Sequence, residues 1–145
     1  MNQTLAAALI GSVLATTPAA ASPNAAARPI VTVVRHGGLC VSRTECRATL
    51  RISDTTISGD GYVSRRLKPS EKLALLRAIG TLDLGYLRAH PFTEMCPTAY
   101  DGSESIYSFR GFTRPLASCV YDLREVRAVR LTERLLATLR PRRGS

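Results

Sequence analysis

The first half of the chain contains three stretches whose apolar residues follow the patterns of β-strands. Ile30 to Val34 is a β-branched run typical of a buried strand, and Gly37-Gly38 ends it. Cys46 to Ser53 alternates between apolar residues and arginine or threonine, which predicts a half-buried antiparallel strand. Thr55 to Leu67 is poorer in apolar residues and contains Gly59-Asp60-Gly61, so we expect a third strand with a turn or bulge inside it.

A helix is predicted after the third strand. Pro69-Ser70-Glu71 is typical of a helix start, because proline is tolerated in the first turn and polar residues favour it. Gly80 lies near the expected end of this helix. Leu84 to Leu87 predicts a short turn, and a loop from His90 to Gly102 follows. The apolar residues at helical spacing are Leu73, Leu75, Leu76, Ile79 and Leu82.

The last part of the chain predicts a hairpin and a second helix. Ser105 to Phe109 alternates as a strand, Arg110-Gly111 turns the chain, and Arg114 to Tyr121 forms the partner strand. Glu125 to Leu139 is predicted to be helical, and Arg140 to Arg143 place cations near its C-terminal end. The apolar residues of this helix are Val129, Leu135, Leu136 and Leu139.

The element order is therefore β-β-β-α-β-β-α. It predicts an α+β fold, in which an antiparallel sheet of about five strands carries both helices on one face. Three features stand at defined places in this order: Gly37-Gly38 after the first strand, Pro69-Ser70-Glu71 at the helix start, and Tyr107-x-Phe109 before the last strand. With these features the order is similar to that of the emfourin family of small metalloprotease inhibitors.

The N-terminal segment predicts export. Residues 1–27 contain no charged side chain, and an apolar run from Leu5 to Ala15 is followed by Pro18 and small residues. This pattern is typical of a secretory signal peptide, and the run is too short for a membrane span of roughly 20 residues. We therefore expect a signal peptide over 1–27 and a single domain over 28–145, secreted or periplasmic after cleavage.

Four cysteines follow the predicted signal peptide. An even number in a short exported domain predicts two disulfides. Three pairings are open, and we favour Cys40 with Cys46 and Cys96 with Cys119, because each bond would join one hairpin-like connection. Cys40 and Cys46 stand too far apart for a C-x-x-C zinc knuckle, and no histidine lies beside either pair, so we expect no metal or other cofactor.

Arginine dominates the charge of this chain. The formal net charge is +9, and 18 of the 20 basic residues are arginine. Four of them recur at spacings of three, three and four, which places them along one face of the predicted last helix: Arg124, Arg127, Arg130 and Arg134. This face is either a solvated surface or a contact site for anionic surfaces such as a cell envelope. Export argues against nucleic acid as the partner.

One short motif suggests phosphoryl chemistry. Val33-Val34-Arg35-His36-Gly37 resembles the signature of histidine phosphatases, which implies a nucleophilic His36 beside a phosphate-holding Arg35. That family also uses a second catalytic histidine, a general acid and a doubly wound α/β domain. This chain offers only His90 and antiparallel strand patterns, so we expect no enzyme.

The segment Met95-Cys96-Pro97-Thr98-Ala99-Tyr100-Asp101 resembles the reactive-site loop of the subtilisin-inhibitor-like family. Pro97 restricts its own φ and biases Cys96 towards an extended conformation. The resemblance implies a scissile bond between Thr98 and Ala99. The inhibitory loop would comprise Cys96, Pro97, Thr98, Ala99, Tyr100 and Asp101. Gly102 stands where that family has a proline.

Taken together, the sequence predicts a secreted protein-binding domain. The most specific interpretation is a protease inhibitor that presents the loop from Cys96 to Gly102 to an extracellular protease. The alternative is a structural or envelope-associated basic protein that contacts anionic surfaces through its arginine-rich C-terminal helix. Phosphoryl chemistry at Arg35-His36 is a third interpretation, and the oligomeric state is left open.

Overall fold

A computed structural model of the chain describes residues 28–37 and 46–142. The strands are β1 (Val31–Gly37), β2 (Arg47–Ile52), β3 (Thr56–Gly59), β4 (Tyr62–Val63), β5 (Arg65–Arg66), β6 (Ser103–Phe109), β7 (Leu116–Ala117) and β8 (Arg140–Pro141). The helices are α1 (Pro69–Gly80), α2 (Leu84–Ala89) and α3 (Arg127–Leu136), with a 3-10 helix at Pro97–Tyr100. The predicted signal peptide lies outside the described residues.

The predicted α+β fold with an antiparallel sheet is confirmed, but its element count is wrong. The main sheet has six strands in the order β5-β3-β2-β1-β6-β7, and β4 pairs with β8 in a second, two-stranded sheet. The described residues contain three α-helices, not two. The extra helix, α2, replaces the short turn predicted at Leu84 to Leu87 because Asp83 caps it: its carboxylate accepts hydrogen bonds from the backbone N–H of Gly85 and Tyr86, at 2.7 and 3.1 Å.

Two predicted strands are interrupted or shortened. Thr55 to Leu67 was expected to hold a turn, and the chain indeed turns at Asp60 and Gly61, which divides the stretch into β3, β4 and β5. The strand predicted over Arg114 to Tyr121 pairs with β6 only at Leu116–Ala117. The predicted last helix ends at Leu136, and Arg140 belongs to β8, so that its cation does not close the helix.

The core lies on one face of the main sheet. Every second residue along β1, β2 and β6 points to this face. The buried residues of α1 and α3 belong to the same hydrophobic core. In register, Val31 lies opposite Ile52 and Phe109, and Val33 lies opposite Leu50 and Tyr107. Each of these side chains is at most 5 % exposed.

The helix α1 begins where the sequence predicts but buries a different stripe. Leu75, Ala78 and Ile79 are buried, whereas Leu73 is 50 % and Leu76 38 % exposed. Positions three and four residues apart share a face of a helix, so Leu75, Ala78 and Ile79 form one stripe while Leu73 and Leu76 lie beside it. Helical spacing of the apolar residues therefore predicted the helix but did not distinguish the buried Leu75 and Ile79 from the exposed Leu73 and Leu76.

Two leucines of α1 provide a matched pair for a stability measurement. Leu75→Ala should lower the free energy of unfolding by about 2 to 5 kcal/mol, because the residue is fully buried and its truncation leaves a cavity. Leu73→Ala should change it by less than about 0.5 kcal/mol. Urea denaturation of the oxidised protein comprising residues 28–145 measures both changes. Equal losses for the two variants would contradict the burial of Leu75 and the exposure of Leu73.

Asp54 joins three separate elements of the fold. It lies between β2 and β3, and its carboxylate contacts Arg110 after β6 at 2.7 Å and Lys72 of α1 at 2.8 Å. The hydrogen bonds from Arg110 and then Lys72 hold the pKa of this carboxyl well below its usual range. A carboxyl whose pKa is lower in the folded state stabilises the fold above its unfolded pKa, and that contribution is lost as the pH falls through the folded pKa.

Asp54→Asn should therefore destabilise the protein in a pH-dependent way. We expect a clear difference in denaturation midpoint between the parent and the variant near neutral pH, which shrinks as the pH falls below about 4. Glu125→Gln, which changes a carboxylate with a side chain 76 % exposed, serves as the control. A difference between the parent and Asp54→Asn that is constant down to acid unfolding would contradict the role of this ion cluster.

Candidate functional site

The 95–102 loop (residues 95–102) connects α2 to β6 and forms a closed turn. Pro97–Tyr100 is a 3-10 helix, in which the N–H of Ala99 donates to the carbonyl of Cys96 at 2.9 Å. The N–H of Gly102 donates to the carbonyl of Pro97 at 2.8 Å. Cys96 has the extended conformation expected before a proline, with φ −58° and ψ 130°, and the chain then turns from Pro97 to Tyr100.

Gly102 explains why the turn closes. A side chain at this position would place its Cβ 2.7 Å from the carbonyl oxygen of Pro97, which no real Cβ tolerates. A proline there would also lack the N–H that bonds Pro97. The glycine that stands where the subtilisin-inhibitor-like family has a proline thus permits a tighter backbone than an extended reactive-site loop.

A disulfide ties the base of the 95–102 loop to the edge of the sheet. Cys96 is bonded to Cys119, which lies two residues after β7, and their Cα atoms are 5.2 Å apart. This spacing is within the usual range for disulfides. Beside the bond, Ser118 and Ser105 exchange two hydrogen bonds of 3.0 Å that extend the pairing of β6 and β7. The predicted Cys96–Cys119 pairing is confirmed.

The other end of the 95–102 loop rests on the end of β1. Gly37 has φ +97°, and a Cβ built there would lie 2.6 Å from the carbonyl oxygen of Gly102 and 2.9 Å from the γ-methyl of Thr98. Only glycine permits so close an approach in this conformation. The loop is therefore held against the sheet on two sides, by the disulfide and by this backbone contact.

Apolar side chains project from the anchored loop. Met95 is 62 % and Tyr100 68 % exposed, and Val120, which follows Cys119, is 52 % exposed. Pro97, Thr98 and Ala99 are exposed as well. Exposed apolar side chains on a fixed loop are compatible with an interaction site.

The second predicted disulfide joins Cys40 to Cys46. Its first half, Cys40, lies outside the described residues, so the pairing of Cys40 with Cys46 stays a prediction. Cys46 itself accepts a hydrogen bond on its carbonyl from the N–H of Gly37, at 3.1 Å. The start of β2 is thereby held next to the end of β1.

The four arginines of the predicted basic face line two different cavities. Arg124 precedes α3, and it joins Arg130 and Arg134 around a cleft of about 740 Å³ between α3 and β6. Arg127, the first residue of α3, lines a separate cavity between α2 and α3. All four side chains are exposed, and whether they act as one face stays a prediction.

Two of the cleft arginines are engaged in ion pairs. Arg124 contacts Asp122 at 2.8 Å and Glu94 at 3.4 Å, and Arg130 contacts Glu125 at 3.1 Å. The hydrogen bonds from the Arg124 side chain lower the pKa of Asp122 to about 2. Because the side chains of Arg124 and Arg130 are 70 % and 55 % exposed, solvent screens these pairs and each contributes little to stability.

A polar cluster that the sequence did not predict lies beside this cleft. The Glu133 carboxylate accepts a hydrogen bond from the Tyr107 hydroxyl at 2.8 Å and forms an ion pair with Arg35. Burial, and then the neighbouring Glu133, raise the pKa of the Tyr107 phenol. The phenol therefore stays a hydrogen-bond donor. Alternation along the strands indicates that Arg35 and Tyr107 point inward, but no local signal identifies Glu133.

Arg35 and His36 do not form one phosphate site. Successive residues of a strand point to opposite faces, so Arg35 reaches Glu133 on the core side while His36 contacts Glu104, at 3.0 Å, on the other side. The ring of His90 stacks on Tyr86, with centroids 3.9 Å apart. The geometry thus opposes the arrangement that the histidine phosphatase signature implies.

The disulfide can be tested by chemistry and by stability. Peptide mapping without reduction should link Cys96 to Cys119, and we predict Cys40 linked to Cys46. Replacing Cys96 and Cys119 together by alanine should cost about 3 kcal/mol of unfolding free energy, because the bond joins residues 23 apart in the sequence. Titration of four free thiols in the exported protein would contradict both pairings.

Comparison of the chain with models of known protein families, with curated proteins and with solved structures finds no match. The resemblances to the subtilisin-inhibitor-like and emfourin families therefore stay predictions. Within the described residues, no helix is long and apolar enough to cross a membrane, and no three histidine, cysteine or acidic side chains are placed to hold a metal ion. Any function must be inferred from the geometry of the chain itself.

Proposed function

We propose that this chain is a secreted protein-binding domain whose recognition element is the 95–102 loop. The observation that carries the proposal is the exposure of Met95 and Tyr100 on a loop that is fixed at both ends. An extracellular endoprotease is the target class that the resemblance to subtilisin inhibitors implies. The domain acts by binding and supplies no catalytic group.

Anchoring favours binding because it reduces the entropy that a loop loses when it docks. The Cys96–Cys119 bond restricts the base of the loop, and the contact between Gly37 and Gly102 restricts its far end. Immobilising a free side chain or loop segment costs about 0.5 to 1.5 kcal/mol per side chain on association. A loop that is already ordered in the free protein avoids much of this cost.

The closed turn sets a condition on protease binding. A protease cleft accepts an extended segment, whereas the Thr98–Ala99 bond lies inside a 3-10 helix. Opening the turn breaks three backbone hydrogen bonds, from Ala99 to the carbonyl of Cys96 and from Asp101 and Gly102 to that of Pro97, each worth about 0.5 to 1.5 kcal/mol. The total of about 1.5 to 4.5 kcal/mol is below the roughly 8 kcal/mol of a micromolar complex, so the turn weakens inhibition without preventing it.

The anionic-surface interpretation receives less support. Arg124 and Arg130 already contact carboxylates, and Arg127 lies apart from the other three arginines. A flat membrane needs several cations that face it together, at about 1 kcal/mol each. This contact stays a prediction that no single observation favours.

Inhibition of proteases tests the loop. The oxidised domain should inhibit at least one extracellular endoprotease at sub-micromolar concentration, and Thr98→Leu should improve inhibition of enzymes with apolar primary pockets by about tenfold or more, because such a pocket then buries a larger side chain. Thr113→Leu is the matched control, because Thr113 is exposed in the turn between β6 and β7.

Gly102→Pro separates the two conformations of the loop. It removes the N–H that closes the turn, so it should strengthen inhibition if the protease binds the extended form. A partner that recognises the closed turn should instead bind Gly102→Pro more weakly. If the parent, Thr98→Leu and Gly102→Pro all leave a panel of serine and metalloproteases unaffected, the protease proposal is lost.

A further inference from the structure

A second surface of this domain, separate from the 95–102 loop, has the composition of a binding site. The cleft between α3 and β6 measures about 740 Å³, within the range of roughly 300 to 1,000 Å³ that is usual for ligand sites. Its apolar wall is lined by Leu123, Val129 and Tyr107, which are 5 to 6 % exposed. These three side chains belong to the core, so the wall is rigid.

Positive charge surrounds this apolar wall. Arg124, Arg130 and Arg134 line the cleft together with one carboxylate, that of Glu133. Glu133 is already occupied, because it accepts from the Tyr107 hydroxyl and pairs with Arg35. Arg35 of β1 therefore compensates the negative charge of Glu133. An incoming ligand meets the positive charge of the three arginines that line the cleft.

Arg130 and Arg134 have N–H donors that a ligand can use. Arg130 uses one terminal nitrogen for Glu125, and within the described part of the chain Arg134 has no ion pair. A guanidinium carries five N–H donors and binds carboxylates in a bidentate manner. Exposed pairs such as Arg130 with Glu125 are weak, so a ligand carboxylate can replace the intramolecular partner at little cost.

We propose that this cleft binds an acidic peptide segment of a partner protein, with an apolar side chain against Leu123 and Val129 and flanking carboxylates on Arg130 and Arg134. The apolar wall and the arginine rim match such a segment in both shape and charge. The net charge of +9 attracts an acidic partner from a distance. This site does not depend on the proposed function of the loop.

The structure offers a control on the same helix. Arg127 is the first residue of α3 and lines the cavity at the start of this helix instead of the cleft, so it shares the charge and the helix without lining the cleft. Arg127→Gln therefore reports the effect of lost charge alone. The double variant Arg130→Gln with Arg134→Gln removes the same type of charge from the cleft itself.

Fluorescence anisotropy with short labelled peptides tests the proposal. A peptide with two apolar residues flanked by glutamates should bind the oxidised domain with a dissociation constant in the micromolar range. A peptide of the same charge, with serines in place of the apolar residues, should bind at least about tenfold more weakly, because it leaves the wall of the cleft empty. The double variant should bind the apolar peptide at least about tenfold more weakly than the parent, and Arg127→Gln within about twofold.

Several results would overturn the assignment. Equal binding of the apolar and serine peptides, or equal losses in Arg127→Gln and the double variant, would indicate diffuse charge attraction instead of a cleft. No binding of the apolar peptide at about 1 mM would exclude the site. Vesicles that contain phosphatidylglycerol provide the last comparison: binding to them that requires Arg130 and Arg134, without binding of the peptide, would assign the cleft to a membrane surface. Thr98→Leu should bind the apolar peptide as the parent does, which keeps this test independent of the loop.

Discussion

Both candidate sites depend on the pairing of the central strand β1 with β2 and β6. This strand is hydrogen-bonded along its length on both sides, from Val31 opposite Ile52 and Phe109 to His36 opposite Arg47 and Glu104. Its buried side chains belong to the core, its Arg35 pairs with Glu133 of the cleft, and its last residue, Gly37, supports the 95–102 loop. A shift of one residue in its register would turn each of these groups to the opposite face.

The 95–102 loop shows how one residue changes the consequence of a motif. The string from Met95 to Asp101 resembles an extended inhibitory loop, yet Gly102 supplies an N–H and lacks a Cβ, and both properties allow the turn to close. The closed form gains three backbone hydrogen bonds over the extended form, a difference of a few kcal/mol. This free-energy difference is small enough for the binding of a partner to open the turn.

The charged residues of the domain fall into two groups with different consequences. Arg35 and Glu133 are half-buried and, with the Tyr107 hydroxyl, form a cluster that connects β1, β6 and α3. The pairs of Arg124 and Arg130 are exposed and contribute little to stability. For this reason the first group positions the cleft, whereas the second group is available to exchange partners at its rim.

The sequence by itself determined the features that depend on neighbouring residues. A β-branched run predicted β1, and alternation predicted the inward faces of β2 and β6. Pro69-Ser70-Glu71 predicted the start of α1, and the cysteine count with the hairpin pattern predicted the Cys96–Cys119 bond. Each of these signals is local, because period-2 and period-3.6 patterns and turn residues act over a few positions.

The tertiary structure alone decided what depends on distant neighbours. Helical spacing grouped Leu73 with Leu75, but packing against the sheet decided that only Leu75 is buried. Spacing likewise grouped Arg127 with Arg130, but the elements that pack near α3 decided that Arg130 lines the cleft beside β6 and Arg127 the cavity beside α2. The contact of Arg35 with Glu133 spans 98 positions of the chain. A periodic pattern orients a side chain relative to its own element, whereas burial and long-range pairing depend on which elements pack beside it.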